Sequence, residues 1–287
     1  MAEKKQALLL FGKPPVPGMV KTRLTTAHGG FLTEEQAAEF FRRSLYDVAE
    51  ASMHALIELQ RANDALVAED PTADKVTYDF FVSTTPAESV QLMRDTFDAI
   101  GPWPMEVHYL TDKGATFDDH FDDAFRQIFA MGYEHIVSVG ADVPTMPKSH
   151  ITQAFQWLDY YQAQGTPGFV VAPCQECGTS LVGFSHNTGL DHQGVYYNLN
   201  GKPALDAYME KTEAKGIPVS YFSPVADIDE KVDLAHAISC MYAIEQAAKH
   251  QSELFVPRRV LDWVNVMGIR VSTPPNDEHD PRQYIDE

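Results

Sequence analysis

The stretch Leu8-Leu9-Leu10-Phe11-Gly12-Lys13-Pro14-Pro15-Val16-Pro17-Gly18-Met19-Val20-Lys21-Thr22-Arg23-Leu24 decides how this chain is read. Ala7 to Phe11 is an apolar run of strand length and reads as a buried strand. It breaks at Gly12, after which three prolines and Gly18 hold an extended turn that is neither strand nor helix. Lys13, Lys21 and Arg23 are set into that turn with the hydroxyls of Thr22 and Thr25. Lysine supplies a point charge and arginine a planar fork, so the set suits a phosphate group. In open α/β sheets ligands bind beyond the carboxyl ends of the strands. One reading is therefore an anion-binding loop for a nucleotide diphosphate. The plain alternative is a proline-rich loop with solvated lysines.

The pattern Lys-Pro-x-x-Pro-Gly-x-x-Lys-Thr-Arg-Leu, from Lys13 to Leu24, resembles the N-terminal signature of an uncharacterised bacterial family. That family is described as nucleotide-diphospho-sugar transferase-like, of the radical-SAM/selenodomain-associated type, with a glycosyltransferase-A fold. A shorter echo, a lysine followed later by Lys-Ser/Thr-Arg-Leu, occurs in the phospholactate guanylyltransferases. The resemblance implies a nucleotide and leaves the reaction open.

Composition narrows the field. The chain has 287 residues, enough for one large α/β domain or two small ones, and its 44% hydrophobic content is ordinary for a globular core. Its formal net charge of −19 argues against nucleic acid and anionic membrane surfaces as partners. No apolar run approaches the roughly 20 residues of a membrane span, and the run after the charged N-terminus is too short for a signal peptide. Three cysteines make no secreted disulfide framework, so the expected compartment is the cytoplasm.

Along the chain, Thr33-Glu34-Glu35-Gln36 is a capping-box pattern opening a helix from about Glu34 to Arg61. Asn63 to Lys75 reads as a polar connection. Strands are expected at Val76–Ser83, Met105–Leu110, Glu134–Val139, Gly168–Ala172, Thr179–Phe184 and Ile217–Phe222. Helices are expected at Pro86–Ile100, Thr116–Met131, Lys148–Tyr161, Pro203–Lys215 and Lys231–His250. This alternation points to an α/β sheet covered on both faces, and the resemblance makes it a glycosyltransferase-A-like three-layer sandwich with a mixed, mainly parallel sheet. The resemblance ends near residue 250. Residues 1–250 are thus expected to form the transferase-like domain, and 251–287 a helical extension, Glu253–Ile269, with an acidic tail from Ser272. The extension is a candidate for packing on the body or for forming a homodimer.

Two further stretches carry carboxylates. In Gly140-Ala141-Asp142-Val143-Pro144, Asp142 follows a strand and two small residues. Magnesium typically takes one or two carboxylates plus substrate phosphates, so Asp142 fits a diphosphate-bridging ion. The alternative is a turn aspartate bonded to its own backbone. The family's Gly-Ser-Asp-x-Pro differs here only at the serine. In Ala226-Asp227-Ile228-Asp229-Glu230, Asp229 or Glu230 reads as a helix cap. The stretch is also similar to the family's Asp-x-Asp ending and to the terminal motif of sugar-activating cytidylyltransferases, which implies a metal role for Asp229.

The chain also departs from the family. Gly-Pro-x-x-Asp-Gly-Gly-Tyr-Tyr-Leu-Ile-Gly-Leu corresponds to Ala172–Phe184, where the acid is Glu176, one glycine is Cys177 and the tyrosines are Thr179 and Ser180. The family's Leu-Gly-Glu-Arg-Met corresponds to Phe117-Asp118-Asp119-His120-Phe121, so His120 replaces an arginine. Asp118, Asp119, Asp122 and Asp123 read as a cation site or, preferably, as the solvated face of an amphipathic helix. Cys174-x-x-Cys177 with His186 and His192 offers zinc or redox readings, but two incidental cysteines are preferred. Neither a Gly-x-Ser-x-Gly elbow nor a dinucleotide or P-loop motif is present.

The resulting expectation is a transferase that uses a nucleotide-diphosphate sugar and Mg2+ or Mn2+. Lys13, Lys21, Thr22 and Arg23 would hold the diphosphate, Asp142 and Asp229 the metal, and Glu176 would face a sugar, with Asp142 and Glu176 as the catalytic pair. The rival expectations are a nucleotidyltransferase acting on a phosphorylated small molecule and a ligand-binding protein without catalysis.

Overall fold

Ala7 to Leu10 are apolar without alternation because their strand is covered on both faces. The computed structural model describes residues 3–272. Its strands are β1 (Glu3–Phe11), β2 (Lys75–Thr84), β3 (Val107–Thr111), β4 (His135–Gly140), β5 (Phe169–Pro173), β6 (Thr179–Ser185) and β7 (Val219–Tyr221). Its α-helices are α1 (Glu34–Glu69), α2 (Val90–Asp98), α3 (Phe117–Ala130), α4 (Lys148–Ala163), α5 (Ala204–Lys215), α6 (Lys231–Ala247) and α7 (Arg258–Met267). One sheet runs in the order β3-β2-β1-β4-β6-β5-β7. Only β6 runs against its neighbours. The sheet is therefore mixed and mainly parallel, and the α/β expectation holds.

Side chains leave β1 alternately. Leu8 and Leu10 join Val82, Val139 and residues of α1 and α4 in one apolar layer. Ala7 and Leu9 join Phe81, Ile136 and the α3 residues Phe121, Phe125 and Ile128 in the other. Because β1 to β4 are parallel, their carboxyl ends share one edge. The register fixes it: Phe11 pairs with both Ser83 and Gly140, and Thr84 pairs with Thr111.

The capping box forms as expected: the Gln36 amide donates to Thr33 Oγ1 at 3.2 Å, and Thr33 N donates to Gln36 Oε1 at 2.8 Å. Helix α1 then runs on to Glu69, through the stretch expected to be a polar connection. The polar residues there are those of an exposed helix end. Asn63 is also useful to the next strand, its Oδ1 accepting from Val76 N at 2.9 Å.

The C-terminal helix is shorter than expected because Pro257 stands at its start. Its apolar face, Val260, Leu261, Trp263 and Val264, is buried against Phe40 of α1 and Leu234, Ile238 and Met241 of α6, in a cluster that also contains Leu24 and Leu32. Asp47, fully buried in α1, docks it: Oδ2 accepts from Val260 N at 2.9 Å and Oδ1 from Arg259 Nη1 at 3.1 Å. The extension spends its apolar face on its own chain. The tail expected from Ser272 lies, from residue 273, outside the described residues. No helix among the described residues is long and apolar enough to cross a membrane.

Of the acids of α3, Asp118 and Asp123 are buried rather than on a solvated face, and Asp119 stays partly open to solvent. Asp118 is buried and accepts from the backbone amides of Val195, Tyr196 and Tyr197 at 3.1, 2.9 and 3.1 Å. Asp122 accepts from His192 N at 2.6 Å, and Asp123 from Lys113 N at 3.0 Å. A helix heptad pattern marks which face is polar but not which loop comes down to meet it. Asp118→Ala leaves buried amides unpaired, so we expect a loss of about 3 kcal/mol, measured as a lower urea midpoint with unchanged slope.

Candidate functional site

At the carboxyl edge the chain leaves β4 through Gly140-Ala141-Asp142. A Cβ at Gly140 would stand 2.8 Å from Asp142 Oδ1, so glycine is what lets that carboxylate fold back over the strand end. Ser44 Oγ, from α1, donates to Ala141 O at 2.9 Å, and Ile228 N donates to Asp142 O at 3.2 Å. The second bond ties the Asp227–Asp229 segment to the same edge.

The loop after β1 is fixed by its own turns, Met19 N to Val16 O at 3.0 Å and Leu24 N to Lys21 O at 3.0 Å, and by burial of Val20 and Leu24. Lys21 adopts a left-handed conformation, φ 48° and ψ 38°. Among the described residues, the non-glycine positions with positive φ are Lys21, Glu176 and Cys177. All three lie in loops singled out from the sequence. Such strain collects at functional sites because it persists only where the surroundings enforce it.

Lys21 is the centre of the arrangement. Its side chain is only 5% exposed, and its Nζ lies 2.6 Å from Asp142 Oδ2 and 2.6 Å from Asp229 Oδ1. Arg23 Nη1 stands 3.3 Å from Asp229 Oδ2. Burial opposes the charge on Lys21, but the two carboxylates outweigh it and hold its pKa above the ordinary value. Burial likewise opposes ionisation of Asp229, yet Lys21 and Arg23 hold its carboxyl below the usual range. Asp227, in contrast, is pushed up to about 6 by burial and by the nearby charges of Asp142 and Asp229. Burial and then Asp227 push the Cys174 thiol up to about 12, which makes it a poor nucleophile and leaves the redox reading without support.

The structure thus brings Lys21, Arg23, Asp142 and Asp229 together. It does not join Lys13, Thr22 or Glu176 to them. Lys13 is exposed, the Thr22 side chain is half-buried, and Glu176 is exposed on the β5–β6 loop. Neighbouring Gln175 nevertheless anchors that loop to the cluster, with Nε2 donating to Asp227 O at 2.5 Å. Capping of α6 falls to its other residues. Glu230 occupies the cap position, and Asp233 Oδ2 accepts from Asp229 N at 3.1 Å and Glu230 N at 2.7 Å. The Asp229 side chain is therefore free for the ion pairs. Nothing in the sequence marks Ser44 or the Gln175 anchor, since both act from remote positions on backbone atoms.

The donor set fits a hard cation. Asp142 and Asp229 each aim an oxygen at one point, now filled by the Lys21 ammonium, which stands where a positive charge is favoured. Divalent magnesium or manganese uses such oxygens. Among the described residues no group of three His, Cys, Asp or Glu side chains is arranged to hold a metal, so an ion here would compete with Lys21 and need substrate oxygens. The zinc reading of Cys174, Cys177, His186 and His192 finds no such cluster among the described residues, and His192 is buried among aromatic rings, its Nδ1 2.6 Å from Tyr208 Oη.

Residues 69–198 match the family described as an uncharacterized protein conserved in bacteria, DUF2064. The similarity is to an uncharacterized bacterial family. It takes in the Asp142 and Glu176 stretches but neither the Lys13–Leu24 loop nor Asp229. A protein from Desulfovibrio desulfuricans G20, provisionally named a nucleotide-diphospho-sugar transferase, is 17% identical, with TM-score 0.63 over 91% of this chain and 96% of that one. At that identity the likeness is one of fold. A cytidylyltransferase from Leptospira borgpetersenii serovar Hardjo-bovis is 11% identical, with TM-score 0.44 over 96% of this chain and 98% of that one. CMP:2-keto-3-deoxy-manno-octonic acid synthetase complexed with CTP is 10% identical, with TM-score 0.42 over 84% and 99%. No curated protein matches the sequence. The chain shares its fold with the Desulfovibrio protein named as a nucleotide-diphospho-sugar transferase.

Proposed function

We propose that the chain is a transferase that binds a nucleotide-diphosphate sugar with Mg2+ or Mn2+ and passes the glycosyl group to an acceptor. The observation that carries this reading is the Lys21 ammonium held 2.6 Å from both Asp142 and Asp229 at the carboxyl edge of the sheet. Cations and carboxylates so close make a charge-exchange site, in which Lys21 and Arg23 would turn to the diphosphate and Asp142 and Asp229 would hold the metal. Lys13 and Thr22 add donors from the same loop. A bound divalent ion would supply Lewis-acid charge neutralisation.

The protein's own part is electrostatic. Lys21 and Arg23 stabilise the charge that builds on the departing diphosphate, from positions set before the reaction. Glu176, exposed on its strained loop, meets a sugar hydroxyl. The test is turnover of a panel of sugar nucleotides and nucleoside triphosphates with Mn2+. Release of nucleoside diphosphate is expected. Release of pyrophosphate from the triphosphates would instead make the enzyme a nucleotidyltransferase, and no turnover at all would leave a ligand-binding protein.

A further inference from the structure

The carboxyl edge holds a second polar device, one that the proposed diphosphate site does not use. Asp112 follows the end of β3 and is buried. Ser83 Oγ donates to its Oδ2 at 2.6 Å, and His120 Nδ1 lies 2.6 Å from its Oδ1, with Thr85 Oγ1 3.4 Å from the same ring nitrogen. With Asp112 accepting, Nδ1 carries the proton of this hydrogen bond, and in that tautomer Nε2 is left as an acceptor. Nε2 has no partner among the described residues and is not among the buried polar atoms, and the His120 side chain is 21% exposed. A purely structural pair would have both ring nitrogens occupied. Here one is oriented by a buried acid and the other is offered outward.

One helical turn earlier on α3, Phe117 is 47% exposed although it packs edge-on against Phe11 and Tyr196, with ring centroids 5.3 and 5.0 Å apart. A cleft of about 80 Å³ lies among Phe11, Phe117, Gly140, Thr179 and Tyr196, Gly140 being at the end of β4. Distances across the edge suit one ligand. Ser83, which holds Asp112, and Gly140, two residues before Asp142, flank the same Phe11, so they are two strand spacings or about 10 Å apart. A diphosphate at Lys21 would place the rest of its nucleotide along that edge.

We propose that His120, oriented by Asp112, accepts a hydrogen bond from an N–H or O–H donor of the ligand's nucleoside, whose base stacks on Phe117. The inference rests on the diphosphate reading above. His120 and Phe117 are binding residues in it, and Asp112 is a positioning residue. Bases stack on aromatic side chains whatever their identity, so Phe117 supplies affinity and His120 selects a donor.

The test is calorimetry with inorganic pyrophosphate and the four ribonucleoside diphosphates, each with Mn2+. The wild-type chain should bind at least one nucleoside diphosphate more tightly than pyrophosphate. His120→Ala and Phe117→Ala should each cut that advantage by about tenfold, with pyrophosphate affinity unchanged. Asp112→Asn should do the same while the melting temperature holds, because an amide that donates to Nδ1 turns Nε2 into a donor. Should His120→Ala melt below the working temperature, the exposed Phe117 position carries the comparison. An advantage untouched by either substitution, or an equal loss toward pyrophosphate, would overturn the inference. Equal wild-type affinity for pyrophosphate and every nucleoside diphosphate would overturn it and leave the diphosphate site standing. No binding of any of these ligands would overturn both.

Discussion

Asp142→Ala is expected to abolish Mn2+-stimulated binding of a nucleoside diphosphate while leaving the chain folded. A magnesium ion that shares substrate phosphates typically takes only one or two carboxylates from the protein, so in the proposed site losing one removes half of the protein's share. The drop in affinity should exceed the roughly 10- to 100-fold typical when only an outer partner of a metal ligand is changed. The fold has little to lose by it. Asp142 sits at a strand end with its side chain part-exposed, and Lys21 keeps Asp229 as a partner. Asp227 is also relieved of one repelling neighbour. The melting temperature should therefore stay close to that of the parent, which separates a binding defect from an unfolded protein. Titration calorimetry with and without Mn2+ measures the effect, and unchanged affinity would remove Asp142 from the site.

Asp47→Ala is the largest stability change we expect, about 3 kcal/mol or more, read from urea unfolding. It removes the fully buried one of Arg259's two carboxylate partners, leaving Glu50, and takes from the first turn of α7 the acceptor of Val260 N, and so loosens the helix that covers Phe40 and Leu24. Asp47→Asn makes a finer test. Burial pushes the Asp47 carboxyl up to about 6, against the pull of the Val260 amide and Arg259, from an ordinary 3.8. The folded chain then holds this proton more tightly than the unfolded chain does. Its contribution is fully present below pH about 4 and is lost as pH rises through about 6. Asparagine does not titrate, so the difference in stability between wild type and Asp47→Asn should change across pH 4 to 7 in the direction that disfavours the wild type at the upper end. A difference that stays flat with pH would mean that Asp47 is not held protonated by the fold.

Much of the fold is legible because strands buried on both faces announce themselves as unbroken apolar runs, as at Ala7–Leu10 and Ile136–Val139, and because Gly and Pro mark where they stop. Lys21, Asp142 and Asp229 were also legible one at a time, as charged residues beside strand or helix ends. Their meeting was not, since 121 and 208 residues separate Lys21 from its two partners and only the sheet order brings them together. The same limit hid Asp47, which caps a helix 212 residues away. It also hid the role of the α3 acids, whose loop partners follow much later in the chain. Lys13 and Glu176 were named from pattern alone, and the structure leaves both side chains exposed. Whether they turn inward depends on a ligand, which no sequence period encodes.

The most direct measurement is a crystal structure grown with Mn2+ and a nucleoside diphosphate, with data collected at the manganese absorption edge. The account expects an anomalous peak bounded by Asp142 and Asp229, with Lys21 swung from the carboxylates onto the diphosphate and Arg23 beside it. Manganese and diphosphate bound on another face, with Lys21 still paired to both aspartates, would contradict it.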